Sequence, residues 1–200
     1  MIAGLVLAAG LSRRMGQAKL LLSLDGRAIV RHAVEGVLAG GVDSVWVVTG
    51  PDAEPIRAAL TGLEVQIVVN PAPEEGQAGS VRAGIAALPA TADTVLIALG
   101  DQPAIAPAII PALLAARRTS PRPIVAPRYR DGQGNPVVFK REIFPELLAL
   151  TGDQGARPVI HRDPARVEWV ELDLPIPPDV DTPADYEKIR AALRAGPRPG

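Results

Sequence analysis

The chain has 200 residues, 48% of them hydrophobic, and a formal net charge of −1, which is enough for one self-sufficient core but lacks the positive field a phosphate polymer demands. Two each of Trp, Tyr and Phe leave few rings to stack single-stranded bases, so neither a nucleic-acid partner nor an aromatic core is expected. Without cysteine there is no disulfide, iron–sulfur cluster or thiolate zinc site, and two histidines far apart leave carboxylates to hold any metal as a hard ion.

Taken in chain order, short β-rich runs alternate with Ala/Leu-rich helical ones. Strands are expected at Ile2–Leu7, Ser44–Thr49, Val65–Asn70, Thr94–Leu99 and Ile124–Ala126, and helices at Ala28–Ala39, Ala53–Leu60, Ser80–Leu88 and Pro107–Arg117. The strands lack strict alternation and are apolar on both faces, as in a parallel sheet covered by helices on both sides. After Arg128 a glycine-rich turn precedes a short strand at Val137–Lys140, followed by helical segments at Arg141–Leu150 and Gln154–Arg162 and a strand at Val167–Leu172. Thr182, Pro183 and Asp185 then form a capping-box-like start to a last helix running to about Ala195.

The expected fold is therefore α/β, a doubly wound, mostly parallel, Rossmann-like sheet with a small C-terminal α+β lobe. Residues 1–195 form one domain, about 1–127 as one half and 128–195 as the added lobe, with 196–200 a disordered tail. Ile2–Ala9 is apolar but has no basic segment before it, and no apolar run approaches the roughly 18 residues of a membrane helix. A soluble, cytoplasmic protein without a membrane partner is expected.

Chemistry concentrates in the loops after the strands, where open α/β sheets bind ligands. Leu7-Ala8-Ala9-Gly10-Leu11-Ser12-Arg13-Arg14-Met15-Gly16-Gln17-Ala18-Lys19 follows the first strand. Its glycines allow close backbone approach, and Ser12, Arg13, Arg14 and Lys19 supply donors and charge for a triphosphate. The spacing is not that of a P-loop, and no G-x-G-x-x-G is present; a surface loop with incidental arginines is the plain alternative. Asn70 through Arg82 reads as a strand end, a loop and a helix start with Ser80 near the cap, suited to an anion or a nucleoside, or simply a capped helix. Asp101, in Gly100-Asp101-Gln102-Pro103, falls at the carboxyl edge of the sheet, where it can hold Mg²⁺ against phosphates or merely cap a turn. Asp181, just before the last helix, is either a second hard-ion ligand or an exposed residue beside a helix start.

In this order the segments resemble the MobA-like nucleotidyltransferases that cytidylylate or guanylylate the molybdenum cofactor. The Ala-Ala-Gly form of the first loop, Gly100-Asp101-Gln102-Pro103, Gly152-Asp153-Gln154-Gly155-Ala156-Arg157 and Asp179-Val180-Asp181-Thr182-Pro183-Ala184-Asp185-Tyr186 look like the molybdenum cofactor cytidylyltransferase (MocA) branch, over about residues 2–190. The resemblance implies that Leu7, Ala8, Ala9, Gly10 and Ser12 meet base and ribose, that Arg14 and Lys19 hold the triphosphate, that Asn70, Gly79 and Ser80 line the nucleoside pocket, and that Asp101 and Asp181 bind Mg²⁺. Asn135 and Asp153, in Gly134–Pro136 and Gly152–Arg157, would receive the molybdenum-pterin acceptor. Members of the branch usually carry Gly-His-Pro where this chain has Gly134-Asn135-Pro136; Asn keeps hydrogen bonding but not a protonatable ring. Ala9 stands where guanylylating relatives carry glycine, and its methyl is expected to favour the smaller pyrimidine.

The reaction implied is attack by the acceptor phosphate on the α-phosphorus of CTP with loss of pyrophosphate, driven by positioning and charge neutralisation. A molybdenum hydroxylase, such as a xanthine dehydrogenase-type enzyme, is the downstream partner this implies. The competing readings are a transferase using a sugar or alditol phosphate, and a carrier that delivers the cofactor unmodified. A nicotinamide-dependent oxidoreductase is disfavoured by the missing glycine fingerprint.

Overall fold

The structure is a computed structural model that describes residues 1–10 and 18–195. The first strand, β1 (Ile2–Ala8), pairs in parallel with β4 (Ser44–Thr49) on one side and β6 (Thr94–Leu99) on the other. β5 (Val65–Val69) extends the sheet beyond β4, also in parallel. A small hairpin of β2 (Ser23–Leu24) and β3 (Arg27–Ala28) stands apart from the sheet. β7 (Ile124–Tyr129) pairs in parallel with β10 (Val167–Leu172), and β8 (Gly132–Gln133) folds back on the end of β7. Between β6 and β7 lies β9 (Val137–Lys140), antiparallel to both, so the order across the sheet is β10-β7-β9-β6-β1-β4-β5.

Successive residues of β1 enter opposite cores, which explains why the strand is apolar throughout. Ala3, Leu5 and Leu7 pack with α3 (Gln77–Ala87), α5 (Phe144–Leu148) and α6 (Arg157–Arg162). Val6 and Ala8 pack with α1 (Ile29–Ala39), α2 (Glu54–Ala59), α4 (Ile109–Thr119) and the last helix, α7 (Pro183–Ala195). The expected mostly parallel α/β sheet with helices on both faces is what the chain forms, and its C-terminal part extends the main sheet rather than building another. Leu5, fully buried, sits at the centre of one core, where truncation to Ala would cost about 2–5 kcal/mol.

Most element positions follow the sequence reading, with informative exceptions. Helix α3 begins at Gln77, not Ser80, because its first amide is capped by a residue far along the chain. Strand β7 runs to Tyr129, so the boundary expected near Arg128 falls inside a strand. The final helix starts as expected: the Asp185 carboxylate accepts from Thr182 N at 2.9 Å while Asp185 N donates to Thr182 Oγ1 at 3.2 Å. The expected tail, 196–200, lies outside the described residues. No described helix is long and apolar enough to cross a membrane.

Candidate functional site

A cleft of about 790 Å³ opens at the carboxyl ends of β1 and β6, the position at which open parallel sheets take ligands. The two strand ends are locked together there. Gly100 N donates to Leu7 O at 2.9 Å, and a Cβ at Gly100 would stand 3.0 Å from that oxygen. Glycine therefore lets the Asp101 turn lie flush against the start of the first loop. Ala9 and Gly10, the last described residues of that loop before position 18, line the cleft with Leu7.

The charged centre is assembled from three distant parts of the chain. Lys19, in the short 3₁₀ turn Lys19–Leu21, is 8% exposed. Its Nζ donates to Asp101 Oδ2 at 2.7 Å and to Asp181 Oδ1 at 2.8 Å. Asp181 arrives there because its segment is tied to the Asp101 turn: Val180 N donates to Asp101 O at 3.0 Å and Gln102 Nε2 to Pro177 O at 3.1 Å. Burial alone would lower the Lys19 pKa, but the Asp101 and Asp181 carboxylates outweigh it and hold the ammonium above its ordinary value. The neighbouring Asp179 moves upward, first from burial and then from the like charge of Asp101 and Asp181. The sequence assigned Lys19 to phosphate and the two aspartates to metal; the structure brings all three into one bonded cluster.

The other expected site residues divide into those on the cleft and those behind it. Leu7, Ala9, Gly10, Lys19, Ser80, Asp101, Asp153 and Asp181 line it. Ala8 does not meet it with its side chain, because strand alternation turns the methyl into the opposite core. Asn70 is 2% exposed; its Nδ2 donates to Ser80 Oγ at 3.2 Å and its Oδ1 accepts from Ala72 N at 3.1 Å. Asn70 thus shapes the wall through Ser80, and Gly79 packs behind it, with Asn70 Nδ2 at 3.4 Å from where a Cβ would be. Ser80 is a buried residue inside α3 rather than its cap. The cap is Asp153, whose Oδ1 accepts from Gln77 N at 3.1 Å, a partner that no local pattern could reveal. Ser12 and Arg14 lie outside the described residues.

Asn135 faces a different cavity. A pocket of about 330 Å³ adjoins the cleft, with Leu7, Gln77, Leu99, Gln154 and Arg157 lining both. Asn135 belongs to this pocket, with its carbonyl accepting from Tyr129 Oη at 2.6 Å. Gln77 and Trp169 also line it, and the sequence reading singled out neither. For Gln77 no signal existed; for Trp169 the signal was one of two tryptophans, set between glutamates on a strand that ends the sheet.

The seam between the two cavities is closely fitted. Ala78 N donates to Gly152 O at 3.1 Å, Arg82 donates to Leu150 O at 2.7 Å, and Arg82 also pairs with Glu75. A Cβ at Gly155, whose φ is +56°, would stand 2.2 Å from Gln77 Oε1. The loop Gly152–Gly155 therefore docks on the start of α3 and holds Gln154 and Arg157 over both openings.

Among described residues no group of three or more metal-ligating side chains gathers. The two carboxylates Asp101 and Asp181 nevertheless suit a Mg²⁺-type ion, which takes one or two carboxylates and completes its shell with phosphate and water.

Comparison with known proteins bears on this arrangement. Over 189 residues the chain is 32% identical to nicotine blue oxidoreductase of Paenarthrobacter nicotinovorans, covering 90% of this chain and 92% of the relative. The manganese complex of Rv0371c from Mycobacterium tuberculosis H37Rv superposes with a TM-score of 0.82 at 31% identity, covering 96% and 98% of the two chains. A nucleotidyl transferase from Methanothermobacter thermautotroptrophicus superposes with a TM-score of 0.82 at 29% identity, covering 98% and 99%. The model of the MobA-like NTP transferase domain matches residues 4–167, and the chain belongs to that family.

Proposed function

We propose that the chain transfers CMP from CTP to the phosphate of the molybdenum-pterin cofactor and releases pyrophosphate. The observation that carries this reading is the Lys19–Asp101–Asp181 cluster at the foot of a cleft that opens directly onto a second, apolar pocket. Residues 1–127 serve as the nucleotide half and 128–195 as the acceptor lobe of one domain. The acceptor phosphate attacks the α-phosphorus, and because it is already anionic the protein need supply no base. Lys19 and Arg14 bind the triphosphate, and Lys19 offsets charge that moves toward the leaving pyrophosphate. Ala9 and Gly10 lie along the base and ribose, with Ser80 opposite. Asp101 and Asp181 would hold Mg²⁺, which when bound neutralises phosphate charge and orients the leaving group. The manganese complex of the M. tuberculosis neighbour supports a divalent ion in this family.

A second reading, an oxidoreductase, is favoured by the name of the P. nicotinovorans relative. The chain lacks a glycine fingerprint for a dinucleotide, which weighs against it. Incubating the protein with CTP, Mg²⁺ and the molybdenum-free pterin phosphate decides between them. Stoichiometric pyrophosphate is expected; its absence, together with oxidation of reduced nicotinamide in a parallel incubation with nicotine blue, would replace the first reading with the second.

A further inference from the structure

We infer that Trp169 determines acceptor specificity: it is the plate on which a flat, uncharged heterocycle stacks in the apolar pocket while its phosphate reaches the charged cleft. The inference rests on the transferase reading and adds to it the residue that selects the acceptor class. At about 330 Å³ the pocket lies at the small end of ligand sites (~300–1,000 Å³), roomy enough for a bicyclic ring. Its walls include Ile97, Val137, Phe139 and Trp169, its polar groups include the amides of Gln133, Asn135 and Gln154, and no carboxylate is among the described lining residues. Amides offer donors and acceptors side by side, matching the edge of a neutral heterocycle. Apolar walls would strand the hydroxyls of a sugar or alditol without partners.

Trp169 is fixed for this role. It sits on β10 opposite Ala126 of β7, and Ala126 also lines the pocket. The Arg128 guanidinium lies over the indole, 5.0 Å from the ring centroid, and is itself held by Glu171 at 2.8 Å. Arg128 does not line the pocket, so one ring face is taken by the cation and the rest of the ring is what the pocket receives. Arg157, shared by pocket and cleft, places positive charge where the acceptor's phosphate must cross.

The test measures binding of 6-hydroxymethylpterin, which carries no phosphate, to the full chain by calorimetry, with CTP binding measured in parallel. Trp169→Leu should weaken the pterin about 5- to 150-fold, the range set by stacking on an aromatic plate. Trp169→Phe should stay within a few-fold of wild type, and CTP should bind all three proteins equally. Should Trp169→Leu fail to fold, Arg128→Ala, at an exposed residue outside the pocket, frees the plate and should weaken the pterin about 2- to 5-fold with CTP unchanged. Wild-type affinity in Trp169→Leu, or in Arg128→Ala where that variant stands in, overturns the inference, as does a wild-type chain that binds no pterin. Pterin binding that depends on Trp169 without nucleotidyl transfer to any acceptor would overturn the transferase reading, leaving Trp169 as the plate that binds the ring but not as a selector of acceptors. Transfer whose acceptor KM ignores Trp169 would do the reverse.

Discussion

At the ends of β1 and β6 the molecule gathers an ammonium and two carboxylates from loops 82 and 162 residues apart in sequence from Lys19. Across the shared wall of Gln77 and Arg157, the apolar pocket is made largely from strand side chains, Ile97, Val137, Phe139 and Trp169, whose positions the sheet register sets. The cleft can recognise a polyanion by charge, which tolerates some freedom of shape; the pocket can recognise a ring only by fit. Loops carry the charge because backbone amides and charged groups stay near water there, and strands carry the shape because a paired sheet cannot shift one residue alone.

The strongest way to break this contrast is to remove the charge and keep the shape. Asp101→Asn should lower nucleotidyl transfer by ~10²-fold or more, the scale of losing one preorganised electrostatic group, with the fold and pterin binding retained. Pyrophosphate release within a few-fold of wild type would take Asp101 out of the mechanism. Lys19→Ala should weaken CTP binding by ~1.5–3 kcal/mol, the scale of a hydrogen bond to a charged group, with an unchanged acceptor KM. Equal CTP affinity in a titration would show that the cluster is structural.

Ala9 tests whether the cleft also reads shape. Its methyl is buried at the cleft wall, so CTP should be preferred to GTP by about 10- to 200-fold, the yield of one methylene-sized group. Ala9→Gly should narrow that ratio without reversing it. Equal wild-type rates at matched nucleotide concentrations would show that the methyl plays no part.

Gly155→Ala tests the seam. Its positive φ makes a side chain there cost ~1–2 kcal/mol, and the added methyl must displace the Gln77 side chain. A lowered melting temperature with changes in both CTP and pterin affinity is expected; a change in only one would show that the cavities are independent. The smallest effect should come from Glu146, which joins Arg162 at 2.9 Å and Arg166 at 2.5 Å, away from both sites. The hydrogen bond from Arg166 holds its carboxyl below the usual glutamate range, so the stabilisation is present above the ordinary glutamate pKa and lost as pH falls through the folded value. Glu146→Gln should cost ~0.5–1 kcal/mol at pH 7 and progressively less as the pH falls through the folded value, with both affinities intact. A pH-independent difference in urea midpoint would refute the ion pair as its source.

What was readable beforehand follows the same division. Strands Ser44–Thr49, Thr94–Leu99 and Val137–Lys140 fall where the apolar runs put them, because burial on both faces leaves a continuous signal; Val167–Leu172 also falls where expected, although Glu168 and Glu171 interrupt it at the sheet's edge. Asp101 and Asp181 could be suspected, since each follows a recognisable strand end or precedes a recognisable cap. The start of α3 could not be read, because Asp153 caps it from 76 residues away. Of the second pocket, the resemblance singles out for the acceptor only Gly134–Asn135 and Gln154–Arg157; its strand walls from β6, β7, β9 and β10 carry no ligand signature of their own. The inward or outward aim of Ala8 was open to alternation, but an all-apolar strand hides which face is which.

The position of β9 sets an order on the making of the protein. During synthesis from the N-terminus, β1, β4, β5 and β6 can all be paired once residue 99 has emerged, although the charged cluster at their ends waits for Asp181. Strand β7 is made next, yet it joins β6 only through β9, which lies between them. Until residues 137–140 are delivered, the growing chain presents the open backbone edge of β6 to its surroundings, a template for pairing with other chains. A ribosome that pauses between residues 100 and 137 would hold a half-built sheet in its most adhesive state.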